Sequence, residues 1–521
     1  MNNDKEKIIK DESLPHSIRS VVRMYPSNQV NRLYYGGLPH IGNALWSAWS
    51  SDEIQKAAEA YENYSLSNNL LIKGQSPPNE SKIRMGGGSP ADFPSFTPCL
   101  VDIKSALENR ILSSYPYAVG DYEAKIPVID YFSTNYLKEI TENNIIFTHS
   151  STQAFGLIME AILDYGDVVI MTAPNYGLFT FIPERIGGRV KLLELFSSDE
   201  WKINPKKLEK LIHEVNIELR NDYDKNRGKY IFRRSDSPPK VSAFVNYNPH
   251  NPTGVVYSVK DKLLLLEISH ICKDVGVFVI DDLAYSGLEY DRKNIALPIC
   301  SLDGHFDNTI TLYTLSKAYG LAGLRSGMVV ANEIVTSLIR DIIFQVSDSF
   351  SIVQSAAMGA VFKTDINSSN DREKYFNYIT SQYYERYIFV KALVAGFTSL
   401  EKQEAILITD IIAINNINID KNKEMKGINN INIIIEPQSG FFVLLDLSKL
   451  IGKSYKGFKV IDDKTLLQFL YTSGNIKVLT GNAFCWINNK QLVIRATTAL
   501  DYLELIEGFS RLKLVIEMLE D

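Results

Sequence analysis

The chain is poor in cysteine, tryptophan and histidine, with four Cys, four Trp and seven His in 521 residues. Cys99, Cys272, Cys300 and Cys485 stand far apart with no paired spacing. That pattern predicts buried free thiols and argues against a zinc site or a disulfide framework. No apolar run approaches the ~20 residues needed to cross a bilayer. Phe441-Phe442-Val443-Leu444-Leu445 is among the longest. The opening MNNDKEKIIKDES lacks an apolar core and mixes acids with bases, which argues against a secretory signal or an Arg-rich transit peptide, so a cytoplasmic location is expected. An excess of either charge is also missing. There are 55 Lys and Arg against 61 Asp and Glu, the net charge is -6 and the pI is near 5.8. No basic surface calls for nucleic acid. What is present is a globular composition, 45% hydrophobic and 22% charged, in a chain long enough for two or three domains. A small-molecule ligand is the expected partner.

From about Asn144 to Ala331, short apolar runs bounded by Gly, Pro or Asn alternate with helical patterns, the reading of an α/β domain with a parallel sheet and crossover helices. The expected strands are Ile145–Thr148, Asp167–Thr172, Val190–Leu193, Val241–Asn246, Val277–Asp281, Thr309–Thr314 and Gly327–Ala331. Several end where unusual polar residues begin, and in open α/β sheets ligands bind beyond the carboxyl ends of strands. After Phe350 come long helices with many aromatics, among them Tyr375, Phe376, Tyr383 and Tyr387. A smaller α+β region follows from about Phe397, with strand-like Gly440–Leu445, Ile476–Leu479 and Gln491–Ala496. The expected division is an extension over 1–82, a large domain over 83–349 and a small domain over 350–521. Val215–Lys240 and the Asn/Ile-rich stretch at 410–432 look like insertions. The second lacks a helical or strand period and is expected to be a surface loop or hairpin extension without chemistry. Near the start, Tyr34-Tyr35-Gly36-Gly37-Leu38-Pro39-His40 could be a lid, its aromatics favouring apolar or aromatic substrates, or merely packing.

The most informative segment is Thr314-Leu315-Ser316-Lys317-Ala318-Tyr319-Gly320-Leu321-Ala322-Gly323-Leu324-Arg325-Ser326-Gly327. A lysine is a useful nucleophile only when nearby cations or desolvation keep its amine partly neutral, and Arg325 with the apolar neighbours can supply both. Lys317 in this setting suits imine formation. Thr314 and Ser316 alternate on one side of an extended run, so both hydroxyls can face one ligand, and a phosphate is the natural guess.

Five separated segments, in order as well as content, resemble the class I/II aminotransferases, the fold-type I pyridoxal phosphate-dependent enzymes, from roughly Ile83 to the C-terminus. The resemblance implies an α/β fold with a mixed, mostly parallel sheet in a large domain, plus a smaller α+β C-terminal domain. It implies pyridoxal 5'-phosphate as cofactor. Lys317 matches the family's Schiff-base lysine in S-K-x-x-G-x-x-G-x-R-x-G; freed on exchange with the substrate amine, it would move the proton between the substrate Cα and the cofactor. Arg325, Ser316 and Thr314 match phosphate contacts, the arginine through two parallel charged hydrogen bonds. Asp282-Leu283-Ala284-Tyr285 resembles D-x-x-Y. Asp282 would keep the pyridine nitrogen protonated and Tyr285 would touch the ring hydroxyl; the three-residue step to Tyr285 selects Asp282 over the adjacent Asp281. Asn248-Pro249-His250-Asn251-Pro252-Thr253-Gly254 matches N-P-x-N-P-T-G, with Asn251 donating to the same hydroxyl.

Thr148-His149-Ser150-Ser151-Thr152-Gln153-Ala154 follows a strand and opens a helix, where the family binds phosphate with amides. Ser151 and Thr152 are the candidates, and Ser150 stands where the family usually has Gly. Tyr176, in Pro174-Asn175-Tyr176, would stack on the cofactor ring. Arg495, in Val493-Ile494-Arg495-Ala496, fits the arginine for the substrate α-carboxylate, and Gly88, in Gly86-Gly87-Gly88-Ser89-Pro90, would lie near that carboxylate. Tyr115 resembles the tyrosine that reaches the partner subunit's phosphate, with Tyr117 as rival, which implies a homodimer with shared sites. No metal is implied, and no nucleic acid or membrane partner.

The expected reaction is transfer of an amino group from an L-amino acid to a 2-oxo acid in two half-reactions. The scaffold also runs lyases and decarboxylases, because fold does not fix chemistry. A non-catalytic regulator is the third reading, but the first ~80 residues carry no helix-turn-helix pattern or excess of Lys and Arg.

Overall fold

The computed structural model describes residues 83–90, 93–109, 113–137, 139–488 and 490–521. The run from Tyr34 to His40, open to reading as a lid or as packing, lies outside them. After the two-residue strand β1 (Ile83–Arg84), seven runs rich in Val, Ile, Thr and Phe form one sheet. They are β2 (Ile145–Thr148), β3 (Val168–Ala173), β4 (Arg189–Glu194), β5 (Val241–Tyr247), β6 (Phe278–Asp282), β7 (Thr309–Thr314) and β8 (Gly327–Val330). Each of the seven strands expected between Asn144 and Ala331 is there, with no end displaced by more than one residue. The order is β2-β8-β7-β6-β5-β3-β4. The run from β4 to β7 is parallel throughout, and β8 is antiparallel to both neighbours, so the sheet is mixed and mostly parallel.

Every residue of β5 is buried, as a central strand covered on both faces requires. Ala243, Val245 and Tyr247 pack with Phe155, Ile158 and Val329, while Val241 and Phe244 pack with Leu265 and Ile268. The carboxyl ends of β5, β6 and β7 thereby come out side by side at Tyr247, Asp282 and Thr314.

The C-terminal part adds β9 (Asn432–Ile433), β10 (Phe442–Asp446), β11 (Ser454–Tyr455), β12 (Phe458–Lys459), β13 (Ile476–Lys477), β14 (Leu479–Thr480) and β15 (Val493–Thr497). An antiparallel sheet runs β14-β15-β10-β9, and β1 pairs in parallel with β13. The 30-residue helix Ile366–Ala395 turns Phe376, Tyr383 and Tyr387 inward.

One expectation is corrected. The Asn/Ile-rich stretch is not a surface excursion: Ile417, Met425, Ile428 and Ile431 enter the same core as Val394, Leu445 and Phe509. Its backbone is tied to the end of the long helix, Ile428 N donating to Val394 O at 2.9 Å and Phe397 N to Met425 O at 2.8 Å. Single apolar residues plug the core without any helical or strand period. The first part of Val215–Lys240 belongs to the helix Pro205–Lys225, whose Val215 and Leu219 are buried, and further on Arg233 pairs with Asp167 at 2.7 Å. Truncating the 1% exposed Met425 to alanine should therefore cost ~2–5 kcal/mol of stability in a denaturant titration. A change within about 0.5 kcal/mol, as surface positions give, would contradict this packing.

Candidate active site

A cavity of about 210 Å³ lies at the carboxyl ends of β5, β6 and β7, closed from the C-terminal side by Phe442 and Arg495. Lys317 lines it, and its Nζ donates to Gly88 O at 2.5 Å. Burial, then Arg495 and Arg325, lower the amine from 10.5 to about 8. A neutral amine is therefore accessible near neutral pH.

On one side the wall is a cup of donors. Ser150 caps the helix Ser151–Ile162, its Oγ accepting from Gln153 N at 3.2 Å. The Ser150 backbone is extended, φ 176°, so a residue with a Cβ serves where glycine is usual. Ser151 and Thr152 then stand at the helix N-terminus, where amides face a ligand. Thr314 Oγ1 lies 2.9 Å from Ser316 Oγ and 3.0 Å from Ser326 O. The Thr314 hydroxyl is thus engaged within the turn, leaving Ser316 Oγ–H to give outward. Arg325 completes the cup from a left-handed backbone, φ 54°. A wider cavity of about 750 Å³ adjoins across Thr152, Tyr176 and Arg325.

The floor holds an acid. Strand alternation turns the two aspartates of β6 to opposite faces. Asp281 accepts from Asn246 Nδ2 at 2.7 Å and Ile299 N at 2.8 Å, while Asp282 reaches the cavity and accepts from Ala284 N at 3.1 Å. Burial pushes Asp282 up to about 7, Ala284 N–H opposing and Asp281 adding to the rise. Tyr285 and Asn251 line the same space, with Tyr176 above the cup. Burial raises both phenols.

Opposite the cup, Arg495 on β15 is held by three segments. Nη1 donates to Asn251 Oδ1 at 3.2 Å, Nη2 donates to Gly86 O at 3.3 Å, and the guanidinium lies 3.9 Å from the Phe442 ring centroid. A Cβ built on Gly88 would sit 3.9 Å from Arg495 Nη2, so that glycine borders the guanidinium.

Every candidate thus lines this cavity except Tyr115, which is 87% exposed, as Tyr117 is at 71%. Three contributors carry no motif signal of their own: Phe442 beneath Arg495, Gln354 behind Arg325, and His250. His250 is buried between Thr172 Oγ1 at 3.1 Å and Thr253 Oγ1 at 2.9 Å, and burial lowers it to about 3. A neutral imidazole there latches the Asn251 turn to β3.

The family model for aminotransferase class I and II matches residues 81–415. The chain belongs to that family. Among curated aminotransferases, it is 27% identical over 254 residues to glutamate-pyruvate aminotransferase AlaA of Escherichia coli K12, covering 48% of this chain and 54% of that one. It is 25% identical over 296 residues to the aspartate aminotransferase of Thermotoga maritima, covering 56% and 67%. The chain spans about half the length of the former. The aspartate aminotransferase structure from Rhizobium meliloti superposes with a TM-score of 0.66 at 19% identity, covering 92% of this chain and 98% of that one. The fold is accordingly that of fold-type I aminotransferases. Class I and II aminotransferases are in general pyridoxal phosphate-dependent. Among the described residues no helix is long and apolar enough to cross a membrane, and no group of three or more His, Cys, Asp or Glu could hold a metal ion.

In the cofactor-free protein, acylation of Lys317 by an amine-selective anhydride, followed by peptide mass spectrometry across pH, should show a midpoint near 8. The midpoint should move upward in Arg325→Gln, because removing a cation relieves repulsion of the charged amine. A midpoint at the ordinary 10.5 would contradict this electrostatic setting.

Proposed function

We propose that the protein is a pyridoxal phosphate-dependent aminotransferase that moves the amino group of an L-amino acid to a 2-oxo acid, working as a cytoplasmic homodimer. The observation that carries the reading is one cavity in which Lys317, Arg325 and Arg495 face a single acid, Asp282. Three cations against one buried acid favour an anionic guest with charge at two ends. The donor set fits pyridoxal phosphate: an anion cup, an amine within the same cavity, and a buried acid able to meet a ring nitrogen.

Bound there, the cofactor supplies an aldehyde that condenses with amines and a ring that accepts the electron pair left at the substrate Cα. The residues do the rest. Ser151, Thr152, Ser316 and Arg325 hold the phosphate, Thr314 aligning Ser316. Asp282 keeps a proton on the ring nitrogen. With Asn251 Oδ1 taken by Arg495, the end that Asn251 can offer the ring hydroxyl is its Nδ2–H, beside Tyr285. Tyr176 covers the ring face. Arg495 grips the substrate carboxylate through its fork, with Gly88 alongside. Lys317 Nζ takes the proton from the substrate Cα and delivers it again, its amine near pH 8 suiting both tasks. The adjoining cavity leaves room beside Arg325 for a residue of a second copy, the role that the resemblance gives Tyr115.

Steady-state kinetics across amino donors, with pyruvate and 2-oxoglutarate as acceptors, should give ping-pong patterns and stoichiometric pyridoxamine phosphate without acceptor. Product formation that needs no acceptor and leaves no pyridoxamine phosphate would replace transfer by a lyase or decarboxylase reaction. Reconstituted protein with no bound chromophore would remove the cofactor reading. Lys317→Ala should lower turnover by roughly 10²–10⁴-fold, the usual worth of a positioned proton carrier. Arg495→Lys should raise KM for the amino acid about tenfold, as a lost bidentate contact does.

A further inference from the structure

Arg325 has a left-handed backbone, φ 54° and ψ 50°, which a residue with a Cβ keeps only when its surroundings hold it. What holds it comes from elsewhere in the chain. Gln354, buried in the helix Ile352–Val361, donates through Nε2 to Leu324 O at 2.9 Å and to Arg325 O at 2.6 Å. Both amide hydrogens are thereby used, so Oε1 is its accepting end. His149 Nδ1 lies 2.9 Å from that oxygen and therefore carries the proton between them.

His149 is fixed in turn. Its backbone N–H donates to Gln153 Oε1 at 2.8 Å, and its ring packs on Phe350 with centroids 5.2 Å apart. It immediately precedes Ser150, the cap of the helix Ser151–Ile162. A continuous chain of hydrogen bonds thus runs from the head of that helix through His149 and Gln354 to the turn carrying Arg325. The two walls of the anion cup, 175 residues apart in sequence between Ser150 and Arg325, share one brace.

We propose that Gln354, set in place by His149, is the positioning residue for Arg325 and keeps the two walls of the cup at a fixed spacing. The proposal rests on the reading of Arg325 as a phosphate contact. It separates two properties of the cavity: grip on a phosphate depends on the brace, whereas access of an aldehyde to Lys317 does not.

The test is equilibrium binding to the cofactor-free, full-length protein of two probes that differ only in the phosphate, pyridoxal phosphate and pyridoxal. Gln354→Leu removes both donors and should weaken pyridoxal phosphate about tenfold while leaving pyridoxal within about twofold, as loss of about two hydrogen bonds on one wall implies. Gln354→Glu keeps the shape but turns a carboxylate oxygen onto two carbonyls; it should show the same selective loss and covers the case in which the leucine variant fails to fold. His149→Phe retains the packing on Phe350 and should lose about threefold, again only for the phosphorylated probe. Arg325→Gln should weaken the same probe, and adding Gln354→Leu to it should cost little more, because coupled residues are not additive. Equal losses for both probes, or full additivity, would reduce Gln354 to a general packing residue and overturn the proposal. So would wild-type affinity in both Gln354 variants while Arg325→Gln binds weakly. Wild-type affinity in Arg325→Gln would instead remove the phosphate role of Arg325 itself, and the proposal with it.

Discussion

A lysine amine enclosed by protein and flanked by two guanidinium groups is the constraint to which the rest of the site answers. Lowering Lys317 from 10.5 to about 8 corresponds to roughly 3 kcal/mol of bias toward the neutral amine. Folding bears that cost in full below about pH 8, where the amine is charged in both folded and unfolded chains. The cost is relieved as the pH rises from there toward 10.5, where both are neutral. No carboxylate among the described residues pairs with Lys317, and the nearby acid that could have done so, Asp282, is itself pushed up to about 7. Two groups are held away from their ordinary charge states in one small space, which is how catalytic residues are tuned.

The sheet makes this affordable in geometric terms. Parallel strands β5, β6 and β7 end together, so their carboxyl ends deliver the Asn251 turn, Asp282 and the Ser316–Lys317 turn to one place although they are far apart in sequence. The antiparallel β8 then closes against β7 and β2. It can do so only because its first residue is Gly327: a Cβ there would fall 2.9 Å from Ser150 C and from Tyr313 O, nearer than real side-chain carbons come. Close approach of β8 brings the helix N-terminus and the Arg325 turn to opposite sides of one cup.

Much of this was legible because the chemistry needs particular residue types at short, rigid spacings. Apolar runs cut by turn residues mark the seven strands of the large sheet to within a residue, whereas in the C-terminal part β10 and β15 each begin two residues later than expected and Ile476–Leu479 divides into β13 and β14. Asp282 could be told from Asp281 by its step to Tyr285, and the pleat of β6 is the physical reason one faces the cavity and the other is consumed by Asn246 and Ile299. The 410–432 stretch misled because periodicity detects faces, whereas Met425 and Ile428 reach the core singly from irregular backbone. Gln354 left no trace in the sequence, since one amide 29 residues beyond Arg325 bonds to carbonyls, and carbonyls have no residue identity. Thr314 lines the cavity while its hydroxyl bonds within the turn to Ser316 and Ser326, a detail that alternation along a strand cannot draw.

Arg495 shows how the two structural parts are joined at the chemistry rather than beside it. It stands on β15, paired in register with Leu444 of β10 and Leu479 of β14, yet donates to Asn251 on the turn after β5 and to Gly86 after β1. One guanidinium is thus shared by the C-terminal sheet, the large sheet and the segment that leads to Gly88, the acceptor for Lys317. Planar donors in a rigid fork can satisfy such separated acceptors at once, where a lysine could not. The same fork lies over the Phe442 ring, whose face favours the cation and excludes water from beneath it. The residue expected to meet a carboxylate is therefore oriented before any ligand arrives, by contacts that exist only when the C-terminal sheet sits against the strand ends of the large one.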